Sequence, residues 1–70
     1  MNETKFLELM KDILDNDNIS MASKLSEIEE WDSLSIVSYI AMADTKCGKK
    51  ISPEQLKNCS SIMDLYSLII

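Results

Sequence analysis

Apolar residues recur at helical spacing near the start of the chain, where they predict a first helix from about Glu3 to Asp15. The apolar positions of this helix are Phe6, Leu7, Leu9, Met10, Ile13 and Leu14. Either Asn2 or Thr4 can cap its start. The run Asp15-Asn16-Asp17-Asn18 ends it, because short polar side chains compete for the backbone hydrogen bonds.

A long and mostly polar connection follows, from about Asn16 to Asp32. Connections of this length are uncommon in small domains unless they are functional or held against the core. Four apolar residues interrupt the polar pattern, and we expect them to pack against the helices: Ile19, Leu25, Ile28 and Trp31.

The second helix is predicted from about Ser33 to Lys46. Asp32 is a favourable N-cap, and Gly48 suits the position just after the helix, where a left-handed backbone is common. Lys46, Lys49 and Lys50 would lie near the negative end of the helix dipole.

Two further cap signals predict the rest of the fold. Ser52-Pro53-Glu54-Gln55 is typical of a helix start with a capping box, and it opens a short helix that continues through Leu56 and Lys57. Ser61-Ile62-Met63-Asp64 opens a last helix, whose apolar positions are Ile62, Leu65, Leu68 and Ile69. The pattern predicts one all-α domain over residues 1–70, a small bundle of three main helices and one short helix with a long loop between helices 1 and 2.

Composition supports this interpretation and limits the function. One Gly and one Pro are too few for the turns of a sandwich or barrel, and 46% hydrophobic residues suit a globular fold. A net charge of −5 argues against nucleic acid and anionic membranes as partners and favours a basic protein surface. There is no signal-peptide core in residues 1–5 and no bilayer-spanning run, so we expect a cytoplasmic monomer.

No catalytic constellation is visible. The chain has no histidine, which removes the commonest general base and zinc ligand, and its one glycine cannot build a phosphate-binding loop. The Glu29-Glu30 pair is typical of a solvated loop. Cys47 and Cys59 lack the paired spacing of a zinc site, and nothing points to the secretion that would favour a disulfide. We therefore expect the chain not to be an enzyme.

The second helix is apolar almost all the way round, although a domain of this size cannot bury it on every side. One stripe is expected in the core: Ile36, Ile40, Ala43 and Cys47. A second stripe follows directly from Ser33, is flanked by Ser38 and Thr45, and is predicted to be an exposed contact surface: Leu34, Val37 and Ala41. The alternative is that the first loop folds over this second stripe.

Ser33 takes the first position of this helix, directly after the predicted cap at Asp32. Free N–H groups and the positive end of the helix dipole face such a side chain, so a phosphodiester on its hydroxyl would be stabilised there. The alternative interpretation is that Ser33 is itself the capping residue.

The run Trp31-Asp32-Ser33-Leu34, at the start of a second helix and after a long loop, resembles the acyl carrier protein family of the discrete type. Other segments agree in order over nearly the whole chain. They are Ile28 and Trp31 before the motif, Cys47-Gly48 where the family usually has an aromatic residue and Gly, Ile51-Ser52 before the short helix, and Ser61-Ile62-Met63-Asp64-Leu65 at the start of the last helix.

The resemblance implies that a phosphopantetheinyl transferase moves a 4′-phosphopantetheine arm from coenzyme A to the Ser33 oxygen, with magnesium. The thiol of the arm would hold an acyl group as a thioester and present it to acyl-loading and acyl-processing enzymes (a synthase, ligase or transferase). The expected partner-binding residues are Asp32, Leu34, Val37, Ser38 and Ala41.

Some residues depart from the fatty-acid carriers, whose second helix is usually acidic. Ser35 and Ser38 stand where acids are common, and Thr45-Lys46 replaces further acids, so Asp44 alone remains. This favours a specialised pathway for a polyketide, lipid or other secondary metabolite, with a dedicated partner. Two alternatives stay open: a peptidyl or aminoacyl carrier, and a helical protein-interaction module in which Ser33 only caps a helix. Cys47 is expected as a small core residue, and Cys59 at the base of the last helix.

Overall fold

The computed structural model describes residues 1–70, and its regular structure is helical, as predicted. The helices are α1 at Glu3–Leu14, α2 at Ser33–Cys47, α3 at Pro53–Leu56 and α4 at Ile62–Ser67, with a 3₁₀ turn at Leu25–Glu27 between α1 and α2. None of these helices combines the length and the apolarity that crossing a membrane would require.

The first helix begins and ends through local hydrogen bonding. Asn2, rather than Thr4, is its cap, because the Asn2 side chain accepts a hydrogen bond from Lys5 N at 2.9 Å. The helix ends one residue before the prediction, since Asp15 adopts a left-handed backbone with φ of 51°. Its inward face consists of Phe6, Met10 and Leu14, all of them buried.

The segment between α1 and α2 is held to the core by its apolar residues. Ile19, Leu25 and Ile28 are buried, and Trp31 is half-buried with its ring centroid 6.2 Å from that of Tyr39 in an edge-on arrangement. All four residues that were expected to pack against the helices therefore do so.

The same segment is also joined to the start of α4 by main-chain hydrogen bonds, which the side-chain pattern did not predict. The bonds run from Leu25 N to Ser60 O at 2.9 Å, from Ile62 N to Ser23 O at 3.1 Å and from Met63 N to Met21 O at 2.9 Å. Lys24 and Ser61 form an isolated antiparallel bridge at the centre of this contact. Residues 21–25 thus satisfy backbone groups at both ends of the contact and fix the path of the chain.

The face of α2 that enters the core differs from the predicted stripe of Ile36, Ile40, Ala43 and Cys47. The buried residues are Ser35, Tyr39, Met42 and Ala43, while the other three members of the predicted stripe are half-buried. At 100° per residue the buried face is turned by roughly a quarter of a turn from the prediction. The cause is Tyr39, a large ring whose burial outweighs that of the aliphatic residues.

Tyr39 lies at the centre of the core. Its hydroxyl donates to Leu65 O at 2.6 Å, and its ring meets Phe6 edge-on with 6.4 Å between centroids. Burial raises the pKa of the Tyr39 hydroxyl well above its ordinary value, with Cys59 and Cys47 adding to the effect. The hydroxyl therefore stays protonated and keeps its bond to α4 throughout the neutral range.

The last helix is shorter than the prediction of three main helices implies, so the chain has two long helices and two short ones. After Ser67 the backbone tightens, and Ile69 N donates to Tyr66 O, three residues earlier, at 3.1 Å. This turn carries Ile69 into the core beside Ile62 and Leu65, whereas Leu68 is half-buried.

Candidate functional site

The site begins at the cap of α2. Asp32 Oδ1 accepts hydrogen bonds from Leu34 N at 3.1 Å and from Ser35 N at 3.0 Å, which confirms Asp32 as the N-cap. Ser35 Oγ accepts in return from Asp32 N at 2.8 Å, so the two residues form a reciprocal capping box. The first turn of the helix is therefore fixed without any contribution from the side chain between them.

Ser33 is that side chain, the first residue of α2, and it is exposed to solvent. The interpretation of Ser33 as the capping residue is wrong, because Asp32 makes the capping hydrogen bonds. The other hydroxyl groups of α2 all donate to carbonyl oxygens, and Ser33 Oγ alone has no hydrogen-bond partner. Its oxygen can be esterified without breaking an internal contact, and a phosphate there would lie at the positive end of a 15-residue helix.

Ser35 has a structural role that the sequence did not reveal. It is only 5% exposed, and its Oγ lies 2.8 Å from Glu30 O and 3.0 Å from Asp32 O. In fatty-acid carriers this position is commonly acidic. Here the Ser35 side chain is turned inward, where it joins residues 30–32 to the start of α2. The sequence does contain a signal for this role: Ser35 stands three residues after the Asp32 cap, at the position where a capping box has its reciprocal partner.

The second stripe of α2 is exposed, as predicted. Leu34 is 77% exposed and Val37 is 63% exposed, while Ala41 is also open to solvent. The alternative that the first loop covers this stripe is wrong, because that loop is drawn toward α4 instead. We call Leu34, Val37 and Ala41 the apolar patch.

The flanking hydroxyls of the apolar patch bond to their own helix. Ser38 Oγ donates to Leu34 O at 3.1 Å, and Thr45 Oγ1 donates to Ala41 O at 2.9 Å. Each side chain can still accept a hydrogen bond from a partner, but its hydrogen is already engaged. The apolar patch itself therefore offers only apolar contact. The hydroxyl of Ser33 is the one hydroxyl beside it that is free to donate a hydrogen bond to a partner.

A shallow groove of about 260 Å³ lies between the end of α1 and the start of α2. Its lining residues are Ile13, Leu14, Glu30, Asp32, Leu34, Ser35 and Ser38. Both chain neighbours of Ser33 belong to this lining, so the groove opens directly beside the serine. Its volume falls below the roughly 300–1,000 Å³ typical of small-molecule pockets.

A second hollow, of about 320 Å³, lies at the opposite end of the same pair of helices, where Met1, Lys5 and Leu9 of the N-terminal region face Lys46. The two hollows show that α1 and α2 run antiparallel, with the end of α1 beside the start of α2.

Nowhere in residues 1–70 do three or more His, Cys, Asp or Glu side chains come together in a way that could hold a metal ion.

The two cysteines are free thiols that contact the hydrophobic core. Cys59 comes shortly before α4, with its Sγ 3.7 Å from Gln55 O. Burial raises the pKa of the Cys59 thiol, and the nearby Asp64 carboxylate raises it further. A thiol in this state is a poor nucleophile at neutral pH, so Cys59 is suited to packing rather than to carrying a substrate.

Comparisons with protein-family models, with curated proteins and with solved structures give no match to this chain. The functional argument therefore rests on the order of motifs in the sequence and on the geometry around Ser33 and the apolar patch.

Proposed function

We propose that this chain is a carrier protein of the acyl carrier type, with a 4′-phosphopantetheine arm on Ser33 Oγ. The observation that carries the proposal is the state of that oxygen: exposed, at the positive end of α2, and the one hydroxyl of the helix without a hydrogen bond. The apolar patch begins at the next residue, Leu34, so an enzyme that reaches the serine also meets the patch.

The attachment reaction requires a nucleophilic oxygen from this chain and chemistry from its partner. Ser33 Oγ forms a bond to the β-phosphorus of coenzyme A, the pyrophosphate bond breaks, and adenosine 3′,5′-bisphosphate leaves. The hydroxyl proton passes to a base on the phosphopantetheinyl transferase, which also supplies the magnesium site. This division fits a chain that has no histidine and whose Asp32 carboxylate, next to Ser33, is engaged in capping α2.

The carrier role explains why a small domain can act in synthesis without catalytic residues. The reactive thiol belongs to the arm, and the tether raises the concentration of the acyl group at each partner enzyme. A small exposed apolar patch suits the weak and reversible contacts that handing over a substrate requires. The proposal also assigns the helices to the acyl carrier type of bundle, in which a long connection leads to the modified serine.

The α2 surface favours a specialised pathway over general fatty-acid synthesis. Asp44 is the only acidic residue of the helix, and its Oδ1 lies 3.6 Å from Lys50 Nζ in an ion pair. The partner enzymes therefore meet an apolar helix face rather than an acidic one. We propose acyl-loading and acyl-processing enzymes of a polyketide, lipid or other secondary pathway as these partners, acting on a cytoplasmic monomer.

The proposal is tested by incubating the protein with coenzyme A, magnesium and a broad-specificity phosphopantetheinyl transferase. We expect the intact mass to rise by one phosphopantetheine arm, in the wild type and equally in Ser67→Ala, whose hydroxyl donates to Met63 O within α4. If the mass stays unchanged while an established carrier in the same tube is modified, the carrier proposal fails and a helical interaction module replaces it.

A second prediction concerns the apolar patch. Val37→Glu is expected to lower kcat/KM for arm attachment about tenfold, because it places a carboxylate against an apolar partner surface. A tenfold loss corresponds to roughly 1.4 kcal/mol. Because Val37 is 63% exposed, the circular dichroism spectrum should not change. The matched control is Ile70→Glu, at a residue that is 68% exposed and lies outside α2. Equal rates for both variants would show that the patch takes no part in docking.

A further inference from the structure

One polar side chain is buried outside the hydrophobic core, and it belongs to the residue two positions after the proposed attachment serine. Of the 15 buried residues of the chain, 14 form the core cluster, and the remaining one is Ser35, which is 5% exposed. Burying a hydroxyl without hydrogen-bond partners is unfavourable. A serine in this position is therefore expected to use its hydroxyl, and the contacts of Ser35 Oγ show what it holds.

The Ser35 hydroxyl makes the only hydrogen bonds of two backbone groups on the approach to Ser33. Asp32 N donates to Ser35 Oγ at 2.8 Å, and Ser35 Oγ donates to Glu30 O at 2.8 Å. Neither of these backbone groups has another partner within the protein. Asp32 O also lies 3.0 Å from this Oγ, but it already accepts from Ile36 N. Glu30 O is therefore the acceptor that depends on the hydroxyl.

Capping of α2 explains only one of these bonds. A capping box requires the bond that Ser35 Oγ accepts from Asp32 N, whereas the bond to Glu30 O reaches five positions back, to a residue outside the helix. In the box of α4 the reciprocal partner is the Asp64 carboxylate, which only accepts hydrogen bonds and so holds no carbonyl group before Ser61. The Ser35 hydroxyl therefore holds the segment before the cap as well as the start of the helix.

Glu30 is held from a second direction through its side chain. Asn16 Nδ2 donates to Glu30 Oε1 at 3.1 Å, across 14 positions of the chain. Asn16 is itself fixed just after α1, where its N donates to Lys11 O at 3.1 Å and its Oδ1 accepts from Asn18 N at 2.8 Å. Glu30 thus joins the end of α1 to the start of α2. We call Asn16, Glu30 and Ser35 the Glu30 clamp.

The position of the exposed Ser33 depends on the backbone around it, because its side chain makes no hydrogen bond within the protein. Without the Glu30 clamp, the segment before the cap would be held by the buried Ile28 and by Trp31, whose N donates to Ile28 O at 3.1 Å. A segment with several arrangements is competent for binding in only a fraction of the molecules. The apparent dissociation constant of a partner rises as that fraction falls.

We infer that Ser35 is a positioning residue for attachment of the arm. By holding Glu30 O and Asp32 N, its hydroxyl presents Ser33 Oγ to the transferase in one arrangement. Ser35 is buried and does not touch the reacting atoms, so its loss acts on binding of the transferase and not on the chemical step. The inference rests on the proposed function, because the transferase is the enzyme that must find Ser33 in place.

The test compares Ser35→Ala with Ser61→Ala in the full chain. Each substitution removes one hydroxyl from a capping box, but Ser61 starts α4, where its Oγ accepts from Asp64 N at 3.3 Å. Both variants are expected to lose stability, which urea denaturation measures. The kcat and KM for arm attachment by a broad-specificity phosphopantetheinyl transferase are then measured at a temperature where circular dichroism shows each variant to be folded. Backbone order parameters from NMR of the unmodified proteins give a readout that does not involve the reaction.

We expect Ser35→Ala to raise KM about fivefold and to leave kcat unchanged, because fewer molecules present the serine correctly. Its order parameters should fall at residues 29–33 and stay at the wild-type values at residues 61–65. Ser61→Ala should keep the wild-type KM, with lower order parameters only near the start of α4. Asn16→Ala removes the outer bond of the Glu30 clamp and leaves the Ser35 hydroxyl in place, so it should raise KM only about twofold.

The outcomes separate this inference from the proposed function. If the KM of Ser35→Ala equals that of the wild type, or rises no more than that of Ser61→Ala, then Ser35 only stabilises the fold and the inference is wrong, while the function stands. If kcat falls and KM does not change, Ser35 affects the chemical step, and the positioning role is again wrong. If the wild-type chain accepts no arm, the proposed function itself fails.

Discussion

Replacing Ser33 with alanine is expected to abolish attachment of the phosphopantetheine arm completely while leaving the fold intact. The exposed hydroxyl makes no hydrogen bond that the substitution could remove, and Asp32 continues to cap α2. Exposed substitutions of this kind change the free energy of unfolding by no more than about 0.5 kcal/mol. Intact mass after incubation with the transferase, and the thermal midpoint by circular dichroism, measure the two effects separately.

The neighbouring Ser35 supplies a matched control with the opposite result. Ser35→Ala removes the Oγ that bridges Asp32 N and Glu30 O, so two part-buried hydrogen bonds are lost. A typical hydrogen bond contributes about 0.5–1.5 kcal/mol, so the variant should be less stable, yet Ser33 remains and the folded protein should still accept one arm. An arm on the Ser33→Ala protein would mean that another hydroxyl is the attachment point, and the proposed site would be wrong.

The largest effect on stability is expected from Phe6→Ala. Phe6 is fully buried, and its ring lies 5.3 Å from Tyr66 and 6.4 Å from Tyr39, measured between centroids. Removing a buried phenylalanine ring costs about 3–5 kcal/mol. Small domains lie near the lower end of the roughly 5–15 kcal/mol of native stability, so this variant should be largely unfolded at moderate temperature.

Urea denaturation followed by circular dichroism measures this loss. Leu34→Ala is the matched control, because it also removes a large apolar side chain, but one that is 77% exposed. It should change the free energy of unfolding by no more than about 0.5 kcal/mol. If Phe6→Ala were as stable as Leu34→Ala, the aromatic cluster would not be the centre of the core.

Helix ends were predictable from the sequence because each one depends on a few neighbouring residues. Asn2, Asp32 and Ser61 hold the starts of α1, α2 and α4 through side-chain hydrogen bonds. Ser52 N donates to Gln55 Oε1 at 2.8 Å in the predicted capping box of α3. Gly48 takes the left-handed backbone that follows α2, with φ of 65°. The information for each feature lies within a few positions along the chain.

Features that depend on distant contacts were not predictable in the same way. The core face of α2 is set by Tyr39, whose hydroxyl bond to Leu65 joins residues 26 positions apart. The contact of residues 21–25 with residues 60–63 uses main-chain atoms and leaves no side-chain pattern to recognise. For the same reason, nothing in the sequence placed Asn16 beside Glu30.

The candidate site combines both kinds of information. The place of Ser33 at a helix start follows from Asp32 and could be read from the sequence. The exposure of Leu34 and Val37 was predicted with one alternative left open, because it depends on whether the preceding loop crosses α2 or turns away toward α4.

The packing of Trp31 gives this chain a built-in optical probe. It is the only tryptophan, it lies two positions before the proposed attachment serine, and its half-buried ring rests edge-on against Tyr39. Its fluorescence therefore comes from one known place, at the junction between the long connection and α2. Any event that loosens or shields this junction changes the surroundings of a single indole ring, and a spectrometer can follow it without an attached dye.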